Sequence, residues 1–545
     1  MRIIFEDTRG WRGDVAVSAG SRSRETEEGG ACMSKAQTPD RRELISAFAL
    51  FFVCSLAAMF FCGAHSPFYR YFSAVDSGVY LSVARAMQNG LFPYRDVFDH
   101  KGILLYLLYF IAGVISPRGT TGVYLLSGVS FSIFLFFEYR IARIFLSRYS
   151  AFAAALILFL PSVFYIVLLN GDGSTEALFM PCLAGCLYYL IRSARFVGDE
   201  SGEDTKALFS GAIVTGFLNG AMLWIKFSLV PAVAAAFIVL LAVLFARKKA
   251  RAIPILIFGV LIGVLLVSIP CLLYLFRHDL WSEMWAAYVV FNYQYSGDAA
   301  ASDHSRRNVG FLISALPMVV FSIAGIVALF RKTDRTSRAG LFFAALLLTL
   351  TATSLLIAGR YYPYYFLVLL PFLIFAVIPL VPFLIGKFPL SGSDPRRKRR
   401  RLVVLIVAVL LGSVLVSTIR WPNGSSLFPK TETERAAEAI LAYREARGEE
   451  DPAKLLSLFT QETALGELCE TYPQLRYFYR PVMTGDRGEQ IENEQIRYVA
   501  EGSAEFILIY EGAEAVSWVT IMNPDYHLIF SGEKDSFRIY ALEKE

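Results

Sequence analysis

The sequence predicts an all-α polytopic membrane protein with a small C-terminal α/β domain, and three observations carry that prediction. Of its 545 residues, 55% are apolar and 14% aromatic. Apolar runs recur at about 43–64, 102–117, 121–145, 150–169, 173–192, 207–225, 228–246, 253–276, 310–330, 338–357, 363–386 and 402–420, most of them long enough to cross a bilayer. The formal charge of +5 is also unevenly distributed. Residues 421–545 hold 12 Lys+Arg against 23 Asp+Glu, a balance of −11, which leaves +16 on residues 1–420. The basic residues lie mostly in short loops, a pattern of membrane orientation rather than of nucleic-acid binding.

The chain divides accordingly. Residues 1–42 lack an apolar stretch and mix Arg, Glu, Gly and Ser, so they read as a disordered cytoplasmic N-terminus rather than a cleaved signal; Met33 offers a second start within them. Residues 43–420 form the membrane domain, and 421–545 a soluble extracytoplasmic domain. Basic clusters at Arg41–Arg42, Arg140–Arg148, Arg192–Arg195, Arg247–Arg251, Arg331–Arg338 and Arg396–Arg401 mark the cytoplasmic side. With the clusters inside, Lys101 and Asp172 both fall outside, yet three apolar runs separate them. An odd number of crossings cannot join two points on one side. The run 102–117 is short and ends in Ser116-Pro117-Arg118-Gly119, so it is expected not to cross. Eleven crossings remain, with the N-terminus in the cytoplasm and the tail outside, in the plasma membrane.

Two outer segments look amphipathic. In 77–89, Val79, Val83 and Met87 share one helical face, and Ser82, Arg85 and Gln88 another. In 278–297, Trp281, Trp285, Tyr288 and Val289 suit the headgroup zone. In the tail, residues 431–447 suit a helix capped by Thr431 or Thr433, with Ala436, Ala437, Ile440 and Leu441 inward. Phe506–Tyr510 reads as a buried strand, and Tyr526–Phe530 with Phe537–Leu542 as a hairpin. Of the seven cysteines only Cys469 lies in the tail, which excludes a disulfide within it, and none has metal-ligand spacing.

The polar groups cluster at one face. Asp76, Asp99, His100, Lys101, Asp172, Glu176, Lys226 and Arg360 all fall at the outer ends of apolar runs, while the centres of those runs are almost free of charge. An ion-coupled carrier places ionisable groups near the bilayer midplane, so surface enzymology is favoured. A carboxylate can take a proton from an acceptor hydroxyl, and cations stabilise a departing phosphate. Without a Gly-rich phosphate loop, the activated group is expected on a polyisoprenoid phosphate. Asp99 and His100 are candidates to orient Lys101. Lys226 and Arg360 are candidate phosphate cations, and Asn292, Tyr295 and Tyr364 candidate substrate contacts. A divalent cation among Asp76, Asp172 and Glu176 is a further reading. Simpler roles compete at each position: Asp76 as the cap of a helix starting near Ser77, Lys101 as a snorkelling helix-end lysine, and Asp172 with Glu176 as helix-start residues.

Four motifs in order, Val75-Asp76-Ser77-Gly78-Val79-Tyr80 with Gly90–Asp96, His100-Lys101-Gly102-Ile103-Leu104, Asn170–Glu176 and Gly359-Arg360-Tyr361-Tyr362-Pro363-Tyr364-Tyr365, resemble the polytopic GT-C glycosyltransferases. The likeness is to bacterial relatives of the dolichyl-phosphate-mannose protein mannosyltransferases and lipid A aminoarabinose transferases, including the rhizobial galacturonosyltransferase-like group. It spans roughly 43–420. The resemblance implies a catalytic base at Asp76, donor-phosphate contacts from Lys101 and Arg360, and inverting transfer from a lipid-phosphate sugar to an envelope lipid, glycan or protein. Asp172 is expected as a second acid that positions substrate. Many relatives carry a second acid where this chain has Ser77, two prolines where it has Gly102 and Ile103, and a histidine where it has Tyr364. The competing functions are a lipid-linked oligosaccharide flippase and a non-catalytic scaffold of envelope assembly.

Overall fold

The computed structural model describes residues 39–69, 75–198, 205–300, 309–310, 313–357, 362–387, 395–418, 430–483, 485–511, 517–532 and 537–543. The expectations for the N-terminal 38 residues and for Arg360 fall outside these residues.

The bundle comprises α1 (Arg41–Cys62), α2 (Val75–Gln88), α3 (Ile103–Ile115), α4 (Thr121–Phe145), α5 (Arg148–Leu168), α6 (Thr175–Gly198), α7 (Thr205–Ile225), α8 (Val230–Ala246) and α9 (Ala252–Arg277). It continues through α10 (Trp281–Met284), a π-helical turn at Trp285–Val290, α11 (Phe291–Ala300), α12 (Leu316–Phe330) and α13 (Arg335–Ile357). An eleven-residue 3₁₀ helix at Pro363–Leu373 then runs into α14 (Ile374–Lys387), and α15 (Pro395–Ser417) leads toward the tail. Among the described residues, ten helical stretches are long and apolar enough to cross a membrane, and α3 and α12 are shorter apolar helices. Large apolar side chains stand exposed on the flanks, among them Val53, Phe258 and Leu411. Water would not tolerate so wide a belt, and lipid does. This is a multi-pass membrane protein.

The short run behaves as its length requires. Thirteen residues at 1.5 Å each reach about 20 Å, against a hydrocarbon core of about 30 Å. Both ends of α3 sit at one end of the bundle. Gly102, just before it, donates to Ile225 O at the end of α7 (2.9 Å), while Ser116, just after it, accepts from Arg85 of α2 (2.9 Å). Among the described residues α12, at fifteen residues, is likewise a shorter apolar helix.

The tail forms α16 (Glu432–Arg447), β1 (Leu455–Ser457), α17 (Ala464–Leu468), α18 (Gly485–Ala500), β2 (Phe506–Tyr510), α19 (Trp518–Met522), β3 (Tyr526–Ser531) and β4 (Phe537–Leu542). Its sheet has the order β1-β2-β4-β3. β1 is parallel to β2, and β4 is antiparallel to both neighbours, with a register shift at Leu528/Phe530. The predicted strand, hairpin and helix are all present. Thr431 caps α16 in a capping box with Glu434, which satisfies two orphan amides at once. Ala436, Ala437 and Ile440 face inward, but Leu441 is 43% exposed, contrary to expectation. The neighbouring Ile440 already fills the inward position, and one residue further turns by about 100°. β1 and α18 were not legible, the first because it is three residues long, the second because its apolar positions are few and widely spaced.

The tail is not a loosely tethered appendage. Its Leu456, Phe478, Tyr479 and Ile491 belong to the same continuous apolar core as the bundle. Arg85 of α2 pairs with Glu467 of α17 (3.1 Å), both nearly buried. Ser82 and Arg85, expected on a solvated face, are therefore 5% and 7% exposed. α2 is sandwiched between α3 and the tail instead of resting polar side up. Trp281 and Trp285 do remain exposed, while Tyr288 turns inward to donate to Leu223 O.

Candidate functional site

A single cleft at the end of the bundle gathers most of the polar residues singled out from sequence. Asp76, Asp99, His100, Lys101, Glu176, Lys226, Asn292, Tyr295 and Tyr364 all line it. It encloses about 1200 Å³ of space, its open mouth included. Phe179, Leu229, Leu355 and Val368 supply an apolar wall from the helices, and Gln461, Tyr479, Pro481 and Val482 a second wall from the tail.

Asp76 lies in the first turn of α2, which begins at Val75; it is therefore inside the helix and not its N-cap. Its Oδ2 accepts from Tyr364 Oη at 2.7 Å and from Tyr80 Oη at 3.4 Å. Tyr364 is delivered by the 3₁₀ helix, whose Pro371 lacks the N–H that an α-helical turn would use. Tyr362 stacks on Tyr364 (5.6 Å), and Tyr365 meets Tyr364 edge-on (5.1 Å). Tyr364 thus touches the acid directly.

Lys101 sits at the end of a loop fixed from several sides. Its N–H donates to Tyr106 Oη (2.9 Å) and its carbonyl accepts from Tyr94 Oη (2.8 Å). Tyr94 is fully buried with φ of 70°, a strained left-handed conformation for a non-glycine residue. Gly102 follows because nothing larger fits: a Cβ there would lie 2.1 Å from Trp224 O. Gly102→Ala is therefore expected to push α7 from the loop, costing about 1–3 kcal/mol. Thermal unfolding in detergent checks this, and an unchanged midpoint would refute the close approach.

The ammonium of Lys101 meets Nε2 of His100 at 2.7 Å, so His100 serves as acceptor through a neutral ring. Nδ1 of His100 lies 3.3 Å from Asp99 Oδ1, and the ring packs against Phe291 and Tyr295. Burial pushes the His100 pKa down, and the Lys101 charge pushes it further, against the pull of Asp99. Burial alone would raise Asp99, but Lys101 and His100 hold it well below the usual carboxylate range. Lys101 is lowered from its ordinary value by desolvation, partly offset by Asp99 and Asp76. Asn292 contributes through its amide, which donates to His100 O (2.7 Å) and Tyr288 O (2.8 Å); it braces the loop.

Lys226 and Glu176 form a pair at 2.7 Å, the lysine side chain 20% exposed and the carboxylate 4%. Thr175 Oγ1 donates to the other Glu176 oxygen (2.7 Å). The Lys226 ammonium also lies 4.0 Å from the centre of the Tyr365 ring. An ammonium has three donors, so this pairing leaves directions for an anion.

Asp172 is placed elsewhere. It does not line the cleft, and its Oδ2 accepts from the Ala64 amide at 2.7 Å. It ties the 170–174 turn to the end of α1. In that turn Gly173 has φ of +73°, and a Cβ there would meet Ser77 at 2.9 Å. The turn thus packs behind the start of α2, where Ser77 accepts or donates a 2.6 Å hydrogen bond with His65. Asp172 supports the ground on which Asp76 stands. Among the described residues no three His, Cys, Asp or Glu side chains are grouped to hold a metal ion; Asp76, Asp172 and Glu176 are engaged separately with a tyrosine, a backbone amide and a lysine.

Sequence reasoning missed Tyr80, Tyr365 and the tail's Tyr479. A tyrosine gives no spacing signal of its own. Tyr479, nearly four hundred positions from its partner Asp99, could be found only from the fold.

Comparison with known proteins adds a family-level signal. Residues 100–274 match the family model described as dolichyl-phosphate-mannose-protein mannosyltransferase. No curated protein matches the whole sequence significantly. Among solved structures, ArnT from Cupriavidus metallidurans bound to undecaprenyl phosphate superposes with a TM-score of 0.60 at 12% identity, covering 92% of this chain and 98% of that one. Its apo state gives the same TM-score, identity and coverage.

Proposed function

We propose that this chain, which has the GT-C fold, is a membrane glycosyltransferase that takes a sugar from a polyisoprenoid-phosphate donor and transfers it to an envelope acceptor. One observation carries the reading: the Asp76 carboxylate and the Lys101 and Lys226 ammonium groups line a single cleft that also has aromatic and aliphatic walls. The undecaprenyl phosphate bound by the structurally similar ArnT supports the donor class. The family match across the Lys101 loop supports the transfer chemistry.

These groups support a direct displacement at the anomeric carbon. Asp76 accepts the proton of the acceptor hydroxyl as its oxygen attacks the anomeric carbon. A new glycosidic C–O bond forms while the bond from that carbon to the donor phosphate oxygen breaks, with inversion. Lys101 and Lys226 stabilise the negative charge collecting on the departing phosphate. The proton leaves Asp76 for water once product departs. Phe179, Leu229, Leu355 and Val368 suit the first isoprene units, and the tyrosine cluster suits the sugar face. The positive-inside charge pattern supports an outer-face location for this end of the bundle and for the tail.

Tyr364→Phe removes one neutral donor from Asp76 without altering the ring. The expected result is a fall in kcat of about 2- to 12-fold, the span of a single net hydrogen bond, with donor KM unchanged. The broader test is mass spectrometry of envelope glycans and polyprenyl-phosphate sugars in cells with and without the protein. Accumulation of one lipid-linked sugar with loss from one glycan is expected. Movement of an intact lipid-linked sugar between leaflets, with no covalent change, would replace this reading with transport.

A further inference from the structure

An acidic soluble domain after the last span could be separate from the chemistry. Tyr479, Pro481 and Val482 instead form part of the cleft wall. Arg476 O accepts from the Phe98 amide (2.8 Å), and the Tyr477 ring lies 5.3 Å from that of Phe98. Tyr479 Oη donates to Asp99 Oδ1 at 3.1 Å, while Tyr106 Oη of α3 donates to Oδ2 at 2.8 Å. Tyr479 is 4% exposed and Asp99 2%. Both oxygens of a buried carboxylate are thus engaged by tyrosines from two different domains. From Asp99 the contacts continue through His100 to the Lys101 ammonium.

We propose that the tail domain is a working part of the site, with Tyr479 a positioning residue that acts through Asp99 and His100 on Lys101, so that donor-phosphate binding depends on a docked tail. A buried carboxylate that loses a donor must turn or take up water. Either change shifts the partner that orients His100, and with it the ammonium. The contact is specific to this docking: one tyrosine hydroxyl and one backbone carbonyl from the tail hold the loop that ends in Lys101. This inference rests on Lys101 being the donor cation.

The test uses the full-length protein in detergent and undecaprenyl phosphate as the probe, with binding read by native mass spectrometry as a function of pH. Tyr479→Phe should weaken binding about 3- to 10-fold, within the span of a single net hydrogen bond. It should also raise donor KM more than it lowers kcat. Asp99→Asn should weaken binding further and move its alkaline limb to lower pH, because the carboxylate that favours the charged lysine is gone. The double variant should bind within about 2-fold of Asp99→Asn alone, since both act through one carboxylate. Equal affinity of wild type and Tyr479→Phe, or effects of the two substitutions that multiply, would overturn the coupling. Should Asp99→Asn fail to fold, the Tyr479→Phe affinity alone decides. Equal affinity of wild type and Lys101→Met would defeat the donor-cation reading itself, an outcome distinct from the first two.

Discussion

Asp76→Asn is expected to lower kcat by about 10²- to 10⁴-fold, the usual contribution of a positioned general base. The substitution is nearly isosteric, and the amide oxygen can still accept from Tyr364, whose hydroxyl lies 2.7 Å away. What it removes is the capacity to take a proton at neutral pH. Donor binding should therefore remain within a few-fold of wild type. Purified protein assayed with a polyprenyl-phosphate sugar separates the two quantities. Transfer at the wild-type rate would take Asp76 out of the mechanism, and loss of donor binding in step with kcat would make it a binding group instead.

The second large effect belongs to Lys101. Lys101→Met keeps most of the stem and deletes the charge, and donor kcat/KM should fall by about 10²- to 10³-fold, comparable with removal of one preorganised donor to a developing anion. Its pH dependence follows from the environment. Desolvation lowers the pKa of this lysine, with Asp99 and Asp76 opposing. As pH rises through that lowered value the cation is lost, so donor kcat/KM should decline below the ordinary lysine range. Lys101→Arg, charged at any accessible pH, should carry that limb upward. A limb unmoved in Lys101→Arg would assign it to another group.

Much of this site was legible because charge is expensive in a bilayer. Lys101, Glu176 and Lys226 stood out against apolar runs, and their placement at run ends forecast one shared face. The same economy, with the shortness of the run 102–117 and its Ser116-Pro117-Arg118-Gly119 end, singled out α3 as the segment expected not to cross. Asp172 shows where that reasoning stops. Proximity to the face predicted a role in the cleft, but a turn with glycines on both sides allows the carboxylate to swing back to Ala64. Sequence distance along a helix end says nothing about which way a loop side chain points. Arg85 illustrates the complementary difficulty. Its face looked solvated because the partner that buries it, Glu467, lies 382 positions later. Burial of a polar face by a distant domain leaves no periodic trace in either segment.

The cleft draws on the helical bundle and on the tail that follows it in the chain. Asp76, Lys101, Glu176, Lys226 and Tyr364 are all made before the tail emerges, yet Tyr479 and the Arg476 carbonyl are needed to close the loop between them. On the proposed function, a chain whose tail has not docked lacks the Tyr479 and Arg476 contacts to the loop that carries Lys101. A truncated copy would hold its acid and its lysines without that brace.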